Sequence, residues 1–116
     1  MKKINLTIDY LSASLIVCGV DNVDGPQVYS VCMGGTAVRQ NIVMSGSGSQ
    51  YIYGFVDTNF RVGMSKQDAK EFIKQAVTLA TYRDNSSGGI VRLMDITNEG
   101  YERDVISFDD LNFPDN

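Results

Sequence analysis

Residues 65–83 constrain this chain more than any other stretch. Ala69, Phe72, Ile73, Ala76, Val77 and Ala80 recur there at the three- and four-residue spacing of one helical face. Ser65, followed three positions on by Asp68, makes a variant capping box that marks where the helix begins. The spacing predicts an amphipathic helix of about 18 residues, hence about 27 Å long, whose apolar stripe has to be covered by another layer of structure. Lys66, Lys70 and Lys74 form its opposite side and read as a solvated charged face. A chain of 116 residues has room for one core of that kind, so residues 1–116 are read as a single domain.

Around the helix the pattern changes to that of strands. Residues 12–21 (SASLIVCGVD) are β-branched and apolar on both faces, which predicts a buried strand ending at the turn residues Asp21, Asn22, Asp24, Gly25 and Pro26. Residues 27–33 (QVYSVCM) alternate and return as the second arm of an antiparallel hairpin. After Gly34 and Gly35, residues 36–44 (TAVRQNIVM) read as a third strand with polar interruptions at Arg39, Gln40 and Asn41. By propensity the aromatic segment 51–56 is a strand too; a short buried helix competes, and six residues are too few for periodicity to decide. Beyond the helix, residues 90–97 (IVRLMDIT) and 101–108 (YERDVISF) flank the turn residues Asn98, Glu99 and Gly100 as a second hairpin. Residues 109–116 read as an acidic tail, frayed at Pro114.

Composition narrows the chemistry. The chain contains no histidine, which removes Ser-His-Asp and Cys-His hydrolases, histidine metal sites and any imidazole base. Two cysteines, Cys18 and Cys32, are too few for a cysteine-only zinc site and sit in apolar runs, so both are expected to be buried thiols of an intracellular protein. No metal or cofactor is expected. A net charge of −4, with no run of lysines or arginines, argues against nucleic-acid binding. The apolar stretch 13–20 falls far short of the roughly 20 residues that span a bilayer, so no membrane association is expected. Asn5, Thr7 and Asp9 interrupt the apolar segment a secretory signal needs. The expected location is the cytoplasm and nucleus.

Small polar residues crowd at two places, 45–49 (SGSGS) and 84–89 (DNSSGG). The first lies between an apolar run and an aromatic one, where a loop exposing backbone amides and hydroxyls can approach another element closely. Neither is a nucleotide loop: GSGSQY lacks the third glycine of a dinucleotide fingerprint, and no GK[ST] follows any glycine. Asp84 stands at the end of the long helix, where a carboxylate faces the unfavourable end of the macrodipole and wants a partner. It is either a helix-stop residue paired with Arg83 or capped by Ser86, or a group that holds an amine or ammonium together with nearby hydroxyls. Arg39, Arg92 and Arg103 read as solvated or strand-pairing charges rather than anion clamps.

Taken together, residues 19–35 (GVDNVDGPQVYSVCMGG), 39–57 (RQNIVMSGSGSQYIYGFVD), 63–72 (GMSKQDAKEF) and 82–89 (YRDNSSGG) resemble a proteasome β subunit, most closely the caspase-like catalytic type. Order and spacing of the blocks agree over about residues 12–107. Cys18, Cys32 and Asn85 depart from the family's usual alanine, proline and glycine. The resemblance implies an α+β, N-terminal-nucleophile hydrolase fold: an antiparallel β sandwich flanked by helices, of which this chain is the C-terminal half. It places residues 1–14 where the family has a helix leading into the first strand.

The resemblance further implies a threonine-type endopeptidase that cleaves after acidic residues during protein degradation. Its partners are the other α and β subunits of a hetero-oligomeric barrel and its substrates are polypeptides. In that chemistry a threonine hydroxyl at the mature N-terminus attacks the scissile carbonyl while its own α-amino group serves as base, so no histidine is needed. The family's supporting residues fall on Ser47, Asp84 and Ser87. The nucleophilic threonine belongs to the family's first half and Thr7 does not match its position, so these residues alone are expected to be inactive. The alternative implied is a non-catalytic structural or assembly module of the proteasome.

Overall fold

The computed structural model describes residues 13–113. The expected helix over residues 1–14 therefore lies almost wholly outside the described residues. Two compact units are distinguished: residues 13–45 with 96–100, and residues 46–95 with 101–113.

The first unit is built on an antiparallel sheet in the order β1 (Leu15–Asp21), β2 (Gly25–Val31), β3 (Ala37–Gln40). Register runs from Leu15 opposite Val31 to Asp21 opposite Gly25, and then from Val28 opposite Gln40 to Val31 opposite Ala37. The β1–β2 turn is tied by Asp21: its Oδ1 accepts the N–H groups of Val23 at 2.8 Å and Asp24 at 2.6 Å, and its Oδ2 accepts Gln27 Nε2 at 2.6 Å. These bonds, that from Asp24 foremost, hold the Asp21 carboxyl below its ordinary range. Arg39 donates to the carbonyls of Asp24 and Pro26, so this cation serves the turn.

Three expectations fail in this unit. The third strand stops at Gln40 instead of reaching residue 44, because the polar run from Arg39 to Asn41 offers no apolar face to continue the pleat. The first strand is not buried: Leu15, Ile16 and Val17 remain 44–47% exposed, although their backbones pair fully. Cys18, which lies on that uncovered strand, and Cys32, just past the end of β2, are exposed free thiols rather than buried ones.

The second unit centres on α2 (Lys66–Arg83), which begins as the capping box predicts. The Asp68 N–H donates to Ser65 Oγ at 3.1 Å, and that hydroxyl donates to Asp68 Oδ2 at 2.8 Å. The aromatic segment is not a strand. It forms a 3₁₀ turn, Ser49–Tyr51, followed by α1 (Tyr53–Asn59). Ile52 and Val56 are buried one helical turn apart, and Phe55 stacks on Phe72 with ring centroids 5.9 Å apart and planes 8° from parallel. Phe60 adds a tilted contact to Phe72 at 6.0 Å. Burying Ile52 and Val56 while Phe55 and Phe60 pack on Phe72 of α2 overrides the strand propensity of the individual residues.

β4 (Ile90–Thr97) and β5 (Gly100–Ser107) form a two-stranded sheet. Their two-residue connection leaves room only for antiparallel pairing. The lysine side of α2 is less free than its spacing predicts: Lys66 Nζ lies 2.7 Å from both Asp95 Oδ2 and Glu102 Oε2, and Lys70 Nζ lies 2.7 Å from Asp104 Oδ2. Nor does the tail fray at once. Phe108–Asp110 form a 3₁₀ turn, Leu111 is buried, and Phe113 packs on Phe108 at 4.8 Å and on Tyr82 at 5.9 Å. Among the described residues no helix is long and apolar enough to cross a membrane.

Candidate functional site

The second unit brings both polar loops to the C-terminal end of α2. Asp84 is the last-turn cap: its backbone leaves the helix at φ −98°, ψ 117°, while its N–H still donates to Ala80 O at 2.9 Å. Only 7% of its surface is exposed. The loop preceding α1 reaches it through a bend at Gly46, whose φ of 96° is open to glycine and strained for other residues. Ser49 closes that bend by donating its Oγ to Gly46 O at 2.8 Å and its N–H to the same oxygen at 3.2 Å.

Ser47 Oγ and Ser87 Oγ each donate to Asp84 Oδ2 at 2.6 Å, and the Ser86 N–H donates to Oδ1 at 3.2 Å. Ser47, Asp84 and Ser87, the three residues that the sequence singles out, therefore form one cluster. Of the simpler alternatives for Asp84, the Ser86 cap is present. The Arg83 pairing is not: that guanidinium lies 5.4 Å from the centroid of the Tyr82 ring. No lysine or arginine among the described residues forms an ion pair with Asp84.

The bond from Ser47, then that from Ser87, holds the Asp84 carboxyl below its ordinary range, with a smaller contribution from the Ser86 amide; burial opposes them. An ionised carboxylate only accepts, so the protons of both hydroxyls are committed to Oδ2. What Ser47 and Ser87 have left to offer is lone pairs, and both residues reach the surface. A further group entering beside them is met by acceptors backed by a negative charge. Such an array suits an N–H donor that carries positive charge and repels an oxyanion.

The other charged candidates lie elsewhere. Arg39 belongs to the first unit, Arg103 lies 5.0 Å from the centroid of the Tyr101 ring, and Arg92 is exposed. Among the described residues no group of three or more Cys, Asp or Glu side chains could hold a metal ion. The partners of Lys66 and Lys70 were missed by sequence reasoning, because Asp95, Glu102 and Asp104 are 29 to 36 positions away and the pairing of β4 with β5 brings them to the helix.

Residues 7–96 match the family described as proteasome subunits. The chain is 47% identical over 102 residues to a protein of Schizosaccharomyces pombe named probable proteasome subunit beta type-1, covering 88% of this chain and 45% of that protein. It is 46% identical over 101 residues to a proteasome subunit beta type-6-A like protein of Salmo salar, covering 87% of this chain and 46% of the relative. It is 48% identical over 101 residues to proteasome subunit beta type-9 of Mus musculus bactrianus, with the same two coverages of 87% and 46%. The chain thus spans somewhat less than half the length of these relatives.

Proposed function

Since the chain belongs to the proteasome subunit family, we propose that it is the amine-holding portion of a catalytic β subunit, a threonine-type endopeptidase working within the proteasome core. The observation that carries this proposal is the pair of exposed serines whose hydroxyls each lie 2.6 Å from Oδ2 of the buried Asp84.

In the proposed reaction a threonine from the remainder of the subunit supplies both nucleophile and base. Its hydroxyl oxygen attacks the carbonyl carbon of a peptide bond while its α-amino nitrogen takes the hydroxyl proton. The ammonium so formed donates N–H bonds to Ser47 and Ser87, and the Asp84 charge favours that protonated form. The proton then passes to the leaving amine, and water cleaves the ester that remains. Asp84 carries no proton in this cycle; its lowered carboxyl keeps the acceptor array charged at neutral pH.

The finer parts of the proposal rest on the sequence blocks. They are the caspase-like preference for cleavage after acidic residues, the antiparallel sandwich of an N-terminal-nucleophile hydrolase completed by the rest of the subunit, assembly with other α and β subunits, and a place in the cytoplasm and nucleus. A full-length subunit with Asp84→Asn, incorporated into assembled particles, tests the function. Turnover of a peptide with an acidic residue before the scissile bond is expected to fall about 10²–10⁴-fold while assembly is retained. Unchanged turnover refutes the assigned role. If the unsubstituted particle assembles yet turns over no such peptide, the alternative of a non-catalytic assembly module takes its place. The 116-residue chain alone is expected to hydrolyse nothing, because none of Ser47, Asp84 and Ser87 is the nucleophile.

A further inference from the structure

Gly48 lies between Ser47 and the first 3₁₀ turn, and its place is set by space rather than by backbone angle: its φ of −78° is open to any residue. It is nevertheless buried against the last turn of α2. A Cβ at this position would meet three atoms, Ala80 Cβ at 3.2 Å, Ala80 O at 3.4 Å and Asp84 Cβ at 3.4 Å. The last two bear directly on Asp84. Ala80 O is the acceptor of the Asp84 N–H at 2.9 Å, so a side chain at residue 48 would crowd the Ala80 methyl while in contact with the carbonyl that holds the cap in place and with the first carbon of the carboxylate side chain.

Two neighbouring distances show what the close approach achieves. Ser47, the adjacent residue, reaches Asp84 Oδ2 at 2.6 Å across 37 positions of sequence, and the next turn is closed by the Tyr51 N–H donating to Gly48 O at 3.2 Å. A loop held a few tenths of an ångström farther from the helix would lengthen the Ser47 bond, and that bond is the largest influence lowering the Asp84 carboxyl. Ser87 would be little affected, because it reaches the carboxylate from within the loop that follows α2.

We propose that Gly48 and Ala80 together are the spacer that sets the Ser47–Asp84 hydrogen bond, which makes Gly48 a positioning residue for the ammonium site. The lack of a side chain at residue 48 and the single methyl at residue 80 let loop and helix meet backbone to methyl. The consequence for catalysis rests on the peptidase function proposed above; the spacer itself does not.

Titration of the Asp84 carboxyl by carbon-detected NMR on the 116-residue chain provides the test. Gly48→Ala is expected to raise its midpoint toward the ordinary aspartate value, by less than Ser47→Ala does. Adding Ala80→Gly, which removes the methyl at 3.2 Å, is expected to bring the midpoint back down. Ala80→Val, which thickens the same contact from the helix side, is expected to raise it and serves in place of Gly48→Ala should that variant not fold. A midpoint unmoved by Gly48→Ala or by Ala80→Val overturns the proposal, as does a raised midpoint that Ala80→Gly leaves unrestored while the circular dichroism spectrum is unchanged. Because the titration reads a hydrogen bond and not hydrolysis, a negative result leaves the peptidase proposal standing. Conversely, an inactive full-length subunit leaves the spacer standing.

Discussion

The two units solve the same problem with opposite means. In the first, the backbone is well provided for, with seven paired positions between β1 and β2 and a turn tied by Asp21, yet Leu15, Ile16, Val17 and Val38 stay about half exposed. In the second, Ile52, Val56, Phe72, Ala76, Val91 and Leu111 are buried, and the polar cluster at Asp84 stands at one end of that core. Strand pairing without apolar cover gives register but little stability, whereas a helix with a covered face gives a frame stiff enough to hold a charge among hydroxyls. The candidate site lies wholly in the unit that carries most of the buried apolar residues.

The difference between the units depends most on Phe72, which stacks on Phe55 and meets Phe60. Phe72→Ala is expected to cost the second unit about 3–5 kcal/mol. Hydrogen exchange should then show lost protection in α1 and α2 while the Asp21 turn of the first unit changes little. Equal loss in both units would mean that they unfold as one and that the contrast between them is not energetic.

Acid should act on a lowered carboxyl in each unit, Asp21 in the first and Asp84 in the second, and the Ser47 hydroxyl then singles out the second. The folded Asp84 carboxyl sits below its unfolded value, so its contribution is present above the unfolded pKa of about 3.9 and is lost as pH falls through the folded value. Exchange protection at the end of α2 should therefore drop below about pH 4, and Ser47→Ala should make it drop at a higher pH. A drop that occurs at the same pH with and without the Ser47 hydroxyl would detach that hydroxyl from the carboxyl's shift.

What can be read from the chain beforehand follows the same division. The long helix and its cap are legible because period and capping box are local, and Ser47, Asp84 and Ser87 are legible as two polar clusters beside a helix end. Their convergence on one oxygen is not local, since Ser47 and Asp84 are 37 positions apart. The resemblance supplied that pairing where spacing could not. For the aromatic segment the competing short helix prevails over the strand that propensity favours, because Tyr, Ile, Phe and Val favour strands one by one, while the packing of Phe55 on Phe72 and the burial of Ile52 and Val56 are not local. Burial of Cys18 and of β1 is misread for the converse reason: an apolar run states a demand for cover, and these residues do not supply it.

That unmet demand leads to a smaller effect. Replacing Ile16 and Val17 by lysine is expected to cost less than about 1 kcal/mol, as half-exposed substitutions do, while reducing self-association in sedimentation velocity. Loss of folding in this double variant would show that the strand is covered in solution.

The smallest effect is expected on the charged side of α2. Lys70 Nζ meets Asp104 Oδ2 at 2.7 Å, with the lysine side chain 26% and the aspartate side chain 51% exposed. A pair so open to water is worth about 0.2–1 kcal/mol and weakens with salt. Its neighbour differs: the buried Asp95 Oδ2 has Lys66 Nζ as its partner, and the Asp95 and Glu102 carboxylates together hold the Lys66 ammonium protonated well above its ordinary range. The Lys66 contribution is therefore present below the unfolded lysine value and fades only as pH rises far beyond it. Lys70→Met keeps the aliphatic stem and removes one charge, so its small cost should vanish in molar salt, while Lys66→Met, which strands a buried carboxylate oxygen, should cost more and keep part of that cost in salt. Urea melts of both variants at low and high salt make the distinction. Equal and fully screened losses would show that the lysine face is merely solvated, and that the contacts of β4 and β5 with the helix add nothing to the stiffness of the unit that carries Asp84.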